Sequence, residues 1–154
     1  MPGCLVVVAV DLCDVTLRVL GSFDAQRILE VLSVWGKLTV KEVSEKVSVG
    51  RRSAEQILNS LLSVGLVEVK DGRYMLSSSR RVEALKSFYV ETVVQNIELY
   101  IAKLLSEADE LGSKLREAVD KFIKRYYPIL KEKFYWSMMV LEELAEKCGT
   151  NQPL

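Results

Sequence analysis

The chain has 154 residues, 49% hydrophobic and 27% charged, which fits a soluble globular protein with one sizeable core, or a small domain plus an extension. Lys and Arg total 21 and so do Asp and Glu, a balance that argues against an indiscriminate polyanion binder, for which a basic domain is expected. Histidine is absent, which removes the usual neutral-pH proton shuttle and the commonest metal ligand; with no Gly-rich phosphate loop, nucleophile elbow or zinc-type spacing, no enzyme, metal or cofactor is expected.

In chain order, residues 4 to 20 are rich in valine. Val15-Thr16-Leu17-Arg18-Val19 alternates and favours a strand. Cys4 to Val10 reads as a second strand, with Asp11 to Asp14 as the turn, so residues 1 to 21 are expected to form a β-like segment. A short helix is the alternative, because Leu5, Val8, Leu12, Val15 and Val19 also make a helical stripe. The run Cys4 to Val10 is far shorter than the ~20 residues of a membrane helix. No basic residue precedes it, as a secretory signal would require.

Gly21-Ser22 leads into a helix from Phe23 to Trp35, with Ile28, Leu29, Leu32 and Trp35 on one side and Gly36 as its end. Thr39 followed by Glu42 is a capping box, and Val40, Val43 and Val47 give the next helix its apolar stripe. Ser48-Val49-Gly50 is a short break. A further helix starts near Arg51; Ala54, Leu58 and Leu61 face inward, Ile57 flanks them, and Gly65 is placed to stop it. The outward side carries Arg51, Arg52, Ser53, Glu55, Gln56 and Asn59, side chains able to reach phosphates and base edges. Two β-type runs follow, Leu66 to Lys70 and Arg73 to Leu76. They are joined by Asp71-Gly72, which suits a two-residue type I′ turn.

Two short helices across such a turn, followed by a β-hairpin, resemble the winged helix-turn-helix superfamily. The pattern Leu58-x-x-Leu61-x-x-x-Gly65-Leu66-Val67 is similar to the recognition-helix-to-wing junction of prokaryotic regulators, including the MarR, ArsR and PadR-like families. The resemblance covers residues 22 to 77. It implies that the helix from Arg51 enters the major groove, that Lys70 and Arg73 on the wing touch DNA, and that helical elements beside the winged domain pair two copies.

Ser77-Ser78-Ser79 marks a boundary with capping hydroxyls. From Arg80 a stripe runs through Val82, Leu85, Tyr89, Val93, Ile97, Tyr100, Leu104, Ala108 and Leu111. That is some 45 Å of helix at ~1.5 Å per residue. An apolar face of that length requires a second copy of the chain, or later helices folded back onto it. Gly112-Ser113 is a break with Ser113 as cap. Leu115, Val119, Phe122 and Ile123 continue to Tyr127, where Pro128 forces a kink or a new start. A last helix is expected over residues 129 to 147, then a polar tail from Gly149 to Leu154.

The fold class expected is mainly α with a small β-hairpin wing: residues 22 to 77 as the winged domain, residues 78 to 154 as a helical, coiled-coil-type extension. The function expected is double-stranded DNA binding by a homodimeric transcriptional regulator paired through the C-terminal helices, with no membrane association. The rival is a winged-helix docking module for other proteins, compatible with zero net charge and with Glu55 on the outward face. Residues 22 to 77 hold eight Lys/Arg against seven Asp/Glu, so any DNA affinity rests on local placement of charge. Arg80-Arg81 and the group Lys121, Lys124, Arg125, Lys131 and Lys133, interleaved with Phe122, Tyr126, Tyr127, Phe134 and Tyr135, fit the wet side of amphipathic helices better than a stacking surface. The aromatic and methionine cluster from Tyr126 to Met139 reads as core or dimer interface ahead of a small-molecule effector pocket. Cys4, Cys13 and Cys148 form no CxxC pair, which points to a reducing cytoplasm.

Overall fold

A computed structural model describes residues 15–150. The chain divides into two compact units, Met1–Val90 and Glu91–Leu154.

The described part of the first unit opens with helix, not strand. Residues 15–20 are helical, and the Gly21 amide donates to the Leu17 carbonyl at 2.8 Å. The strand expected at Val15 to Val19 is therefore corrected; the second strand, Cys4 to Val10, and its turn lie outside the described residues. Packing is the reason. Thr16, Val19 and Leu20, at helical spacing, are half-buried, and the last two rest on the core, while Leu17 is 66% exposed. A five-residue alternation does not distinguish a strand from a helix once one helical side has a surface to bury against.

Three helices then build the winged core: α1 (Phe23–Trp35), α2 (Val40–Val47) and α3 (Arg51–Ser63). The Ser22 hydroxyl caps α1, and Gly36 ends it at φ +86° with its amide on the Leu32 carbonyl. The capping box of α2 is complete: the Glu42 amide donates to Thr39 Oγ1 at 3.2 Å, and the Thr39 amide to Glu42 Oε1 at 3.1 Å. The turn between α2 and α3 takes its left-handed residue at Ser48 (φ +57°), not at Gly50, and Ser44 Oγ pins it by donating to the Val49 carbonyl at 2.6 Å.

The wing is a two-stranded antiparallel sheet, β1 (Val67–Lys70) and β2 (Arg73–Leu76), with Lys70 opposite Arg73. Asp71 and Gly72 both have positive φ, +54° and +74°, as a type I′ turn requires. A third piece of backbone joins it: Leu38 and Tyr74 exchange hydrogen bonds of 3.0 and 2.7 Å. Ile28, Leu29, Leu32, Leu38, Val43, Val47, Ala54, Leu58, Leu61, Leu66, Val67 and Tyr74 are buried together as one cluster.

Helix α4 (Arg80–Leu111) begins on this same core, since Val82 and Tyr89 belong to the cluster. Ser79 caps it, accepting from the Val82 amide at 3.3 Å. The Tyr89 hydroxyl donates to Gln26 Oε1, and the Gln26 side-chain amide donates to the Leu20 carbonyl, so one polar chain joins α4, α1 and the helical residues 15–20. Burial, then the Glu30 carboxylate, hold the Tyr89 phenol above its ordinary pKa.

In the second unit the later turns of α4 share burial with α5 (Lys114–Lys133) and α6 (Tyr135–Thr150). Val93, Ile97, Ile101, Leu104 and Ala108 are buried, as are Leu115, Val119, Phe122, Leu130, Met138, Leu141 and Ala145. Most of the stripe is thus buried within the chain itself, and Tyr100 of α4 meets Phe122 of α5 with ring centroids 4.8 Å apart. The kink expected from Pro128 is present inside α5, two residues ahead of the ring at Tyr126 (φ −116°, ψ 18°). Two details depart from expectation. Ser113 makes no side-chain cap; the bend is carried by Gly112 at φ +53°. The last helix starts at Tyr135, after a break at Phe134 (φ −128°, ψ 31°), and not at residue 129.

Thr39→Ala should lower unfolding stability by about 0.5–2 kcal/mol in urea titrations, the usual cost of a lost cap. Hydrogen bonds from Thr39, then the charges of Arg73 and Lys46, hold the Glu42 carboxyl below its usual 4.5. A depressed pKa contributes stability that is present above 4.5 and lost as pH falls through the folded value. The stability advantage of wild type over Glu42→Gln should accordingly shrink on acidification below that pH.

Candidate nucleic-acid interface

Helix α3 is amphipathic because its inward residues repeat at helical spacing. Ala54, Leu58 and Leu61 are fully buried, which turns the opposite side to solvent. Arg51, Arg52, Ser53, Glu55, Gln56 and Asn59 are all exposed. At 3.6 residues per turn Arg52, Gln56 and Asn59 share the middle of the outward face, Glu55 flanks it, and Arg51 and Ser53 project to its two sides.

The start of α3 is suited to an anion. Gly50 supplies no side-chain cap, and no acidic residue lies in the first turn. The first amides therefore keep their donor capacity, the positive end of the helix dipole is unneutralised, and two guanidinium groups stand beside it. The far end is anchored. The Gly65 amide (φ +76°) donates to the Leu62 carbonyl and the Leu66 amide to the Leu61 carbonyl, both at 3.0 Å, the paired bonds of a Schellman cap. Ser77 Oγ donates to the Gly65 carbonyl at 2.6 Å, and Arg81 donates to the Val64 carbonyl. Arg81, part of the basic pair at the start of α4, thus closes the C-terminal end of α3, where a cation complements the helix dipole.

Lys70 and Arg73 are exposed cross-strand partners at the wing tip. Cross-strand register places them on one face of the hairpin with Glu68 and Met75, opposite the face of Val67 and Tyr74 that enters the core. Arg73 also acts on the Glu42 carboxylate of α2. The residues named from sequence therefore form two exposed groups, one along α3 and one at the hairpin tip. Lys46 is placed differently, its Nζ 3.4 Å from the centroid of the Trp35 ring. The Leu38–Tyr74 pairing that ties the wing to the helices gave no sequence signal beyond a lone leucine between Lys37 and Thr39.

Residues 21–86 match the family model described as "TrmB: Sugar-specific transcriptional regulator TrmB". This region is a winged helix-turn-helix of the transcriptional-regulator kind. The match names TrmB and not the MarR, ArsR or PadR families, and covers less than half of the chain. No curated protein matches the chain. Among solved structures, the apo form of the S-adenosylmethionine-dependent methyltransferase SibL is similar at a TM-score of 0.43 and 20% identity, over 99% of this chain and 48% of that one. The chain spans about half the length of that protein, and so low a score carries no argument about function. Among the described residues no helix is long and apolar enough to cross a membrane, and no cluster of His, Cys, Asp or Glu suits a metal ion.

Gly65→Ala should cost about 1–3 kcal/mol, because alanine is strained at the positive φ that closes α3. Denaturant midpoints measure it; an unchanged midpoint would show that the cap does not hold the helix-to-wing junction.

Proposed function

We propose that the chain is a transcriptional regulator that binds duplex DNA sequence-specifically as a homodimer in the cytoplasm. The observation that carries this reading is the start of α3: an uncapped helix N-terminus flanked by exposed Arg51 and Arg52, inside a region matching a regulator family. In the proposed complex α3 lies in the major groove. Arg51 and the first amides of α3 take phosphate, Arg52, Gln56 and Asn59 meet base edges, and Ser53 reaches backbone oxygens at the groove wall. Glu55 accepts from a cytosine amino group and discriminates against other bases. Lys70 and Arg73 neutralise phosphates beside the groove. These roles need no net positive charge, only its concentration at the two groups.

Support for the homodimer comes from the second unit. Tyr135, Trp136, Met139 and Val140 lie on the side of α6 away from Met138, Leu141 and Ala145, and Trp136 is 80% exposed. An apolar strip of that kind on a helix surface is the usual mark of an interface. A homodimer paired there would read an operator with two-fold symmetry, one half-site for each α3.

Salt titration of duplex binding tests the groove reading. Arg51→Ala/Arg52→Ala should weaken binding and make the slope of log K against log salt shallower by about 0.9, for the phosphate that Arg51 no longer neutralises. Lys70→Ala/Arg73→Ala should weaken binding uniformly across sequences. Identical behaviour of wild type and the α3 variant at every salt would remove the groove reading and favour a docking module. Light scattering tests the pairing: wild type should run as a dimer at micromolar concentration and Trp136→Glu as a monomer, and a monomeric wild type would count against the interface.

A further inference from the structure

The second unit contains a cleft of about 320 Å³ between α4 and α5, lined by Asn96, Tyr100, Lys121, Phe122, Arg125 and Tyr126. Its size falls in the range of small-molecule sites, roughly 300–1,000 Å³. Two kinds of group make its walls. Tyr100 and Phe122 have ring centroids 4.8 Å apart, and Phe122 meets Tyr126 edge-on at 5.7 Å, so three rings form one continuous aromatic surface. Phe122 is buried as its base, while Tyr100 remains 37% exposed. The second kind is cationic. Lys121 and Arg125 are four residues apart on α5 and leave the helix on one side. The Arg125 guanidinium carbon is 5.3 Å from the centroid of the Tyr126 ring.

Among the described residues no carboxylate lines this cleft. Glu117 pairs with Lys121 at 3.0 Å from the preceding turn of α5, with both side chains largely exposed. An exposed pair of this kind is weak and screened, so it yields to a better-placed anion. Rings offering stacking area, two cations on one edge and the Asn96 amide on the facing helix make a surface complementary to a flat ligand with one negative end.

We propose that this cleft binds a small planar aromatic carboxylate. The ring system stacks on Tyr100 and Tyr126 over Phe122. The carboxylate accepts from the Arg125 guanidinium and the Lys121 ammonium, and Asn96 donates to its outer oxygen. All the lining residues belong to the second unit.

Calorimetric titration of the full chain tests this with three probes: 2-naphthoate, 2-naphthamide, which keeps the rings without the charge, and acetate, which keeps the charge without the rings. Naphthoate should bind saturably, one molecule per chain, and the other two about tenfold or more weaker. Lys121→Gln/Arg125→Gln should weaken naphthoate by about tenfold or more with an unchanged circular dichroism spectrum. Lys124→Gln, exposed on the same helix but outside the cleft, should bind as wild type does. Equal affinity for naphthoate and naphthamide, an undiminished double variant, an equal loss in Lys124→Gln, or no saturable binding would each overturn the proposal. The probe comparison on wild type decides the matter even where the double variant does not fold.

Discussion

Burial of one side of α3 is the constraint on which the winged unit rests. Leu58 and Leu61 are fully buried among Ile28 and Leu32 of α1, Val43 and Val47 of α2, and Leu66 at the root of the wing. Each such side chain contributes about 1.5–3 kcal/mol by leaving water. That burial also sets the orientation of the opposite side. Arg52, Gln56 and Asn59 face solvent because the helix cannot roll without exposing Leu58. The candidate DNA-reading surface and the core are therefore two consequences of one packing arrangement.

Backbone devices hold that helix at both ends without spending its outward side chains. Ahead of it, the Ser44–Val49 hydrogen bond fixes the turn, and the Thr39–Glu42 capping box fixes the start of α2. Behind it, Gly65, Ser77 and Arg81 close the last carbonyls and start the wing. Lys46 rests on Trp35, and Arg81, which read as the wet side of a helix in the sequence, serves α3. The cations left exposed along α3 and at the hairpin tip are correspondingly concentrated. Local concentration, not net charge, is what a neutral chain can offer a polyanion.

The second unit follows the same logic with a different outcome. Val93, Ile97, Ile101, Leu104 and Ala108 are buried within the chain itself, yet α6 still presents Tyr135, Trp136, Met139 and Val140 outward. Self-burial and an exposed apolar strip coexist because α6 is apolar on two sides. One side completes the unit, and the other faces solvent. Tyr100, Phe122 and Tyr126 are partly core and partly wall, which is why an amphipathic reading of the sequence assigned them to packing.

Periodicity and capping chemistry in the sequence determined α1, α2, α3, the type I′ hairpin and the long α4, since these signals act over four to seven residues and need no distant partner. The outward list on α3 followed from the inward one. Tertiary structure alone decided the rest. Residues 15–20 became helix because Val19 and Leu20 found the core. The Leu38–Tyr74 pairing joins segments far apart in sequence, and Ser48 took the positive φ that Gly50 was better suited to hold. Pro128 gave its kink at Tyr126 inside α5, and the start of the last helix was set by the break at Phe134. For residues 15–20 a short local preference, worth a kcal/mol or so, was outweighed by burial against a surface that no local window contains.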